Sequence, residues 1–220
     1  MKLNKEAKIL SIVASVVVIL STVIYFMVSG VQDSKQSFTP NSTVGLTNFS
    51  VGPQDAKVTV VEFFDPECES CAEVSPYIKN EIKFYKDKVR WVFRYMAYHP
   101  TSSYAIRILE AAREQNLYLE AMALLFERQH EWGAKHDGSE QGMPKEKELL
   151  NVISSLPGID INRLQEDMKN PAIDELIEND KKEGTLAGVT GTPTLFVNGK
   201  IIDPLSLDTM IEKIEAGLKQ

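Results

Sequence analysis

The order of apolar segments predicts an α/β domain. A strand-like run from Val58 to Phe64 leads through a cysteine pair into a helical pattern, and a second strand-like run, Val89 to Tyr95, follows. Strand, helix, strand is the opening of an α/β unit. A long stretch of helical periodicity comes next, and the chain then returns to strand character in a hairpin that feeds a closing helix.

Each element has its own warrant. Val58 to Phe64 is rich in β-branched and aromatic residues, and a continuous apolar run broken only by Glu62 suits a buried central strand. The helix after it starts near Cys68 and runs to about Lys86, with a kink or restart expected at Pro76, where a backbone donor is missing. Ser102 to Glu114 and Tyr118 to Trp132 place Ile106, Leu109 and Ala112, then Leu119, Met122, Leu125 and Phe126, at helical spacing. Lys145 to Leu156, Asp160 to Asn170 and Pro171 to Ala187 continue the helices, with Gly133 to Met143 as a polar loop and Pro157-Gly158 as a turn. Thr194 to Val197 and Lys200 to Ile202 flank Asn198-Gly199, a pair that supports the positive φ angles of a type I′ hairpin turn. Ser206 to Leu218 closes the domain, with Ser206 or Asp203-Pro204 as its start signal.

The N-terminus reads as membrane-directed. Lys2, Lys5 and Lys8 precede Ile9 to Val28, a run with no charge. About 20 apolar residues cross a bilayer as a helix, whereas the apolar core of a cleavable signal peptide is about 7–15 residues. Residues 9–28 are therefore expected as a transmembrane anchor, with 1–8 a cytoplasmic tail by the positive-inside rule. Cleavage after Val28-Ser29-Gly30, which would release a secreted protein, is the competing reading. Residues 29–54, rich in Ser, Thr, Asn, Gln and Gly, read as a linker, and 55–220 as one domain with an ample core.

The formal charge is −7, and setting aside Lys2, Lys5, Lys8 and Glu6 leaves −9 for the remainder. No basic patch suggests nucleic acid. The acidity serves solubility.

Cys68-Glu-Ser-Cys71 holds the two cysteines of the chain. A structural zinc site needs four ligands, and His99, His130 and His136 lack a compact spacing, so no metal is expected. A purely structural disulfide would close too short a loop to remove much unfolded-state entropy. Thiol–disulfide exchange is what this spacing suits. Both thiols fit the first turn of a helix, where they close a small ring and where free N–H groups and the helix dipole favour a thiolate. Cys68 would be the exposed nucleophile and Cys71 the resolving thiol.

The chain resembles the thioredoxin superfamily, and within it the DsbA-like thiol-disulfide oxidoreductases. The residues that carry the resemblance are Val61-Glu-Phe-Phe64 before Cys68-x-x-Cys71, Tyr98-His-Pro100 opening the helical stretch, and Gly188-Val-Thr-Gly-Thr-Pro-Thr-Leu-Phe-Val-Asn-Gly199. It implies a thioredoxin fold over residues 55–220 with a helical insert at about 101–187, between the second and third core strands, preceded here by the N-terminal membrane helix. It further implies a cis Thr192-Pro193 bond facing the cysteines, with Thr192 and Pro193 binding extended substrate, and a buried Glu62 that assists proton transfer at Cys71. Arg90 or Arg94 on the neighbouring strand is a candidate partner for Glu62. The strongly oxidising members carry Pro and His between the cysteines. Here Glu69, with Asp65 and Glu67 close by, should oppose the Cys68 thiolate, and Ser70 should compensate in part by one hydrogen bond. A weaker oxidant is expected. His99 reads as a structural cap of the insert.

The functional expectation is an extracytoplasmic enzyme of the bacterial cell envelope. It exchanges its Cys68-Cys71 disulfide with cysteine-containing proteins as a dithiol oxidase, is reoxidised by a membrane redox partner, and needs no cofactor beyond the dithiol. A reductase or isomerase kept reduced by a membrane partner is the alternative in the same class. A thioredoxin-fold chaperone or metal-binding module, with the cysteines and Met96 holding a soft cation such as Cu(I), is the alternative outside it.

Overall fold

The computed structural model describes residues 19–22, 48–133 and 145–220. The chain forms two compact units, residues 1–35 and 36–220. In the first, residues 19–22 are helical. The rest of the expected 9–28 span lies outside the described residues, as does most of the loop after Gly133, His136 included. No helix among the described residues is long and apolar enough to cross a membrane.

The second unit is built on a five-stranded sheet among the described residues, in the order β1-β3-β2-β4-β5. Its strands are β1 (Ser50–Val51), β2 (Val58–Phe64), β3 (Val89–Tyr95), β4 (Thr194–Val197) and β5 (Lys200–Ile201). β2 pairs parallel with β3, from Val58 opposite Val89 to Phe64 opposite Tyr95, and antiparallel with β4 on its other side. That central position explains its nearly unbroken burial, since both faces of an interior strand are covered. The helices are α1 (Glu69–Phe84), α2 (Ser102–Arg113), α3 (Tyr118–Glu127), α4 (Gln129–Trp132), α5 (Glu146–Ile153), α6 (Ile161–Asp167), α7 (Ala172–Leu186) and α8 (Leu207–Leu218). Helices α2 to α7 all fall between β3 and β4.

Alternation along the strands sorts side chains into two cores. Val58, Val60 and Phe64 of β2, with Val89, Trp91, Phe93 and Tyr95 of β3, face the larger one, which also takes Cys71, Ile78 and Ile82 of α1, Met210 and Ile214 of α8, and the buried stripes of the insert. Val61, Phe63, Val92, Met96 and Phe196 face the smaller one. The C-terminal part of α7 covers it, and Gly184 is what lets it approach: a Cβ there would lie 2.6 Å from Met96 Sδ and 3.0 Å from the Phe63 ring. Met96 is thus enclosed on the face away from Cys71, so it does not offer its sulfur to the cysteine pair.

Several expectations change. The segment read as linker up to residue 54 already contributes β1, which pairs antiparallel with β3, and Phe49 before it stacks on Tyr118 with ring centroids 3.9 Å apart. The insert therefore follows the third strand of the chain, not the second. Gly52 makes this approach possible, with φ +94° and an imaginary Cβ only 2.1 Å from the Val89 carbonyl. Helix α1 runs through Pro76 without a restart. Residues 118–132 divide at Arg128 into α3 and α4. The hairpin turn has positive φ at both Asn198 and Gly199, and Ser206 caps α8 by accepting from Thr209 N–H at 3.3 Å.

Candidate active site

β2 ends at Phe64, and the next four residues turn the chain into α1, so that Cys68 is the N-cap of that helix and Cys71 lies in its first turn. Both are free thiols, Cys68 part-exposed and Cys71 fully buried. The four-residue approach is built on carboxylates. Asp65 has no exposed surface, and it accepts from Glu67 N–H at 2.9 Å, Tyr98 N–H at 2.8 Å, Ser102 Oγ, and His99 Nδ1 at 2.7 Å. Its carbonyl accepts from Cys68 N–H at 3.1 Å. Glu67, also buried, accepts from Thr101 N–H at 2.6 Å, and the Gln129 side chain donates to the carbonyls of Pro66 and Cys68. The insert thus holds the cysteine loop by buried, charge-assisted hydrogen bonds.

Opposite the helix terminus, the turn before β4 brings Thr192 to the nucleophile side of the pair. The Thr192-Pro193 peptide is cis, and the Cys68 thiol donates to the Thr192 carbonyl at 3.3 Å. That contact favours the protonated sulfur. It is outweighed, because hydrogen bonding from the Cys71 thiol, then from the Thr192 side chain and from the backbone N–H groups of Cys71 and Ser70, brings Cys68 down to about 6 despite partial burial. The expected acidic opposition from Glu69, Asp65 and Glu67 does not prevail, and this corrects the sequence reading. Asp65 and Glu67 spend their lone pairs on the insert, and Ser70 contributes through its backbone amide. Cys71 is held far above the ordinary thiol range by burial first, then by its hydrogen bond to Cys68 and by the negative charges of Cys68 and Glu62. Two thiols with opposed proton affinities define an attacking and a leaving sulfur.

Glu62 sits in the middle of β2 at 5% exposure, and burial raises its carboxyl to about 8. Neither candidate arginine reaches it. Glu62 lies on the face with Val60 and Phe64, whereas Arg94 projects to the Phe63 side, its guanidinium carbon 5.3 Å from that ring, and Arg90 shares that parity. Arg94 instead binds Asp180 and Glu183 of α7, at 2.7 and 2.5 Å. A carboxyl raised from 4.5 to about 8 contributes stability that is complete below pH 4.5 and lost as pH rises through 8. Glu62→Gln is therefore expected to stabilise the protein by on the order of 4 kcal/mol at pH 8 and by nothing at pH 4, measured by urea unfolding. The same variant should slow disulfide exchange about 10–100-fold through loss of proton transfer.

The structure brings Cys68, Cys71 and Thr192 into one site, with Pro193 beside Thr192 and Glu62 close enough for its charge to act on Cys71. The Asp65–His99 pair was not read as part of it, although the charged run Asp65-Pro-Glu67 directly before Cys68 was the available signal. Among the described residues no group of three or more His, Cys, Asp or Glu side chains is arranged to hold a metal ion.

A helix-terminal dithiol with one activated and one buried sulfur, opposed by a Thr-Pro turn on a mixed sheet, is an arrangement suited to thiol–disulfide exchange with the cysteine pair itself as the electron carrier. The family model described as Thioredoxin matches residues 45–216, and the chain belongs to that family. It is similar to the oxidised crystal structure of BdbD from Bacillus subtilis, with a TM-score of 0.64 and 26% identity over 82% of this chain and 100% of that one. It is 26% identical over 235 residues to "Probable disulfide bond formation protein D" of Bacillus anthracis, covering 100% of both. It is also 32% identical over 149 residues to a Na(+)/H(+) antiporter NhaA of Herminiimonas arsenicoxydans, where the match takes 68% of this chain but 22% of the antiporter. The chain spans about a fifth of the length of such relatives, and no transport chemistry passes to it from so partial a match.

Proposed function

We propose that the protein is a dithiol oxidase that introduces disulfides into cysteine-containing proteins outside the cytoplasm of a bacterium. The observation that carries this reading is the split between the two thiols, Cys68 lowered to about 6 and Cys71 raised. In the oxidised enzyme a substrate thiolate attacks Cys68 Sγ, the Cys68–Cys71 bond breaks, and Cys71 leaves with the electron pair. So basic a leaving thiolate needs a proton at once, and Glu62, protonated at neutral pH, supplies it. A second substrate thiolate then attacks the substrate sulfur of the mixed disulfide and expels Cys68 as the stabilised thiolate. The substrate has lost two electrons, the enzyme has gained them, and a membrane redox partner takes them on. The Thr192 carbonyl, beside Cys68, and Pro193 form the surface against which an extended substrate lies.

The N-terminal lysines and the uncharged run 9–28 support tethering to the envelope membrane with residues 55–220 outside, and the relatives named for disulfide bond formation support the oxidative direction. One observation favours the reductase or isomerase alternative: a nucleophile near 6 lies closer to thioredoxin's, about 7, than to DsbA's, about 3.5. Cys71→Ala in cells, followed by non-reducing gels, tests both. The oxidase reading predicts trapped mixed disulfides with secreted cysteine proteins and a wild-type pair found oxidised. A wild-type pair found wholly reduced contradicts it.

A further inference from the structure

Three carboxylates surround Cys68 in sequence, Asp65, Glu67 and Glu69, and two of them are buried. Such a loop would repel a thiolate unless positive charge were supplied. Asp65 is the hub, because its carbonyl holds the Cys68 amide while its carboxylate holds the Glu67 amide and the His99 ring. His99 comes from the chain between β3 and α2, with its backbone N–H on Ser102 Oγ at 3.2 Å, so both ends of the residue are fixed to the same cluster.

We propose that His99 is a positioning residue for the Cys68 thiolate, its imidazolium on Asp65 supplying the positive charge that the cysteine motif lacks. This rests on Cys68 being the exchanging sulfur. With Nδ1–H donating to the Asp65 carboxylate at 2.7 Å, the same hydrogen bond serves the neutral and the charged ring. The side chain is 29% exposed, so the ring can exchange protons with solvent. Titration therefore changes the charge beside the site without moving the loop. Among the described residues the charged groups that act on the ring are Asp65 and Glu67 from the loop and Cys68 from the start of α1, and the Tyr98 phenol feels the same Asp65 charge. The Asp65 hydrogen bond raises the imidazolium's proton affinity most, and Glu67 and the Cys68 thiolate add to it. Coulomb interaction is reciprocal, so a charged His99 lowers Cys68, and the thiolate is best stabilised below the pH at which the ring deprotonates.

The test is the ultraviolet thiolate titration of the reduced full chain, with Cys71 intact, in wild type, His99→Gln and His99→Lys. His99→Gln keeps a neutral donor and is expected to reduce the thiolate fraction at pH 6 about threefold and the equilibrium constant for oxidising glutathione by a similar factor. His99→Lys restores a cation and is expected to restore both. A folded His99→Gln with an unchanged titration overturns the inference, and so does His99→Lys behaving like His99→Gln, since geometry and not charge would then be at work. If wild-type Cys68 shows no thiolate below pH 8, the reading of Cys68 itself has failed. Should the variants not fold, the wild-type His99 ring titration by proton NMR decides the matter. Its midpoint is expected to fall when the pair is oxidised and the thiolate disappears, and an unchanged midpoint overturns the inference.

Discussion

Cys68→Ser is expected to reduce disulfide exchange to background, a loss of at least about 1,000-fold, while making the folded protein slightly more stable. The two effects have separate causes. A hydroxyl at neutral pH does not ionise and cannot form a disulfide, so no other group in the site replaces it; Cys71 has no exposed surface and a thiol held strongly protonated. The stability gain comes from helix capping. Cys68 occupies the N-cap of α1 with extended backbone angles, φ −77° and ψ 123°, yet its thiol makes no cap hydrogen bond of ordinary length, and only the thiolate draws on the Ser70 and Cys71 amides. Serine is among the preferred N-cap residues, and a hydrogen bond to a first-turn amide contributes about 0.5–1 kcal/mol. Loss of activity in an insulin reduction or glutathione assay, together with a raised melting temperature, would separate the chemical role of Cys68 from any structural one. A function at a poor N-cap is the kind of local inconsistency that marks a site under selection for chemistry over stability.

Arg94→Met is expected to destabilise the domain by about 3–5 kcal/mol, the range for stranding a buried partner. Arg94 is 3% exposed and Asp180 fully buried. Asp180 also accepts from Asn48 Nδ2 at 2.7 Å and from Tyr95 N–H at 2.9 Å, so one carboxylate ties β3, α7 and the segment before β1 together. Burial alone raises Asp180 above the usual carboxylate range, and Arg94 is the strongest opposing influence. Removing the guanidinium leaves that charge to burial and two hydrogen bonds. The double variant Arg94→Met/Asp180→Asn keeps an acceptor for both remaining donors and should recover a large part of the loss. Urea unfolding of the single and double variants measures the coupling. Equal losses in both would show that the arginine acts through packing against Phe63 rather than through its charge.

Much of this was legible before the structure because it depends on short-range chemistry. The uninterrupted apolar run of β2, the Asn198-Gly199 turn and the Ser206 cap are decided by the residues themselves, and the dithiol follows from spacing alone. What was not legible depends on register and on long-range pairing. Glu62 and two arginines on adjacent strands look like partners in a linear sequence, but one residue of parity puts them on opposite faces of the sheet. β1 is two residues long, too short for alternation to show, and it is held through its flanking residues Asn48, Phe49 and Gly52, which meet Asp180, Tyr118 and Val89 from elsewhere in the chain. The acids before Cys68 misled for a related reason. Their charge was visible, and the donors of the insert that absorb it were not, because Tyr98, His99, Thr101 and Ser102 lie more than thirty residues away.

The central claim is that Cys68 is an activated thiol within a redox pair, and the ultraviolet titration of the reduced wild-type protein tests it most directly. A midpoint near 6 is expected, together with a pair potential between those of thioredoxin and DsbA, about −270 and −120 mV. A midpoint at the ordinary thiol value of about 8.5, with no titration in the acidic range, would contradict it.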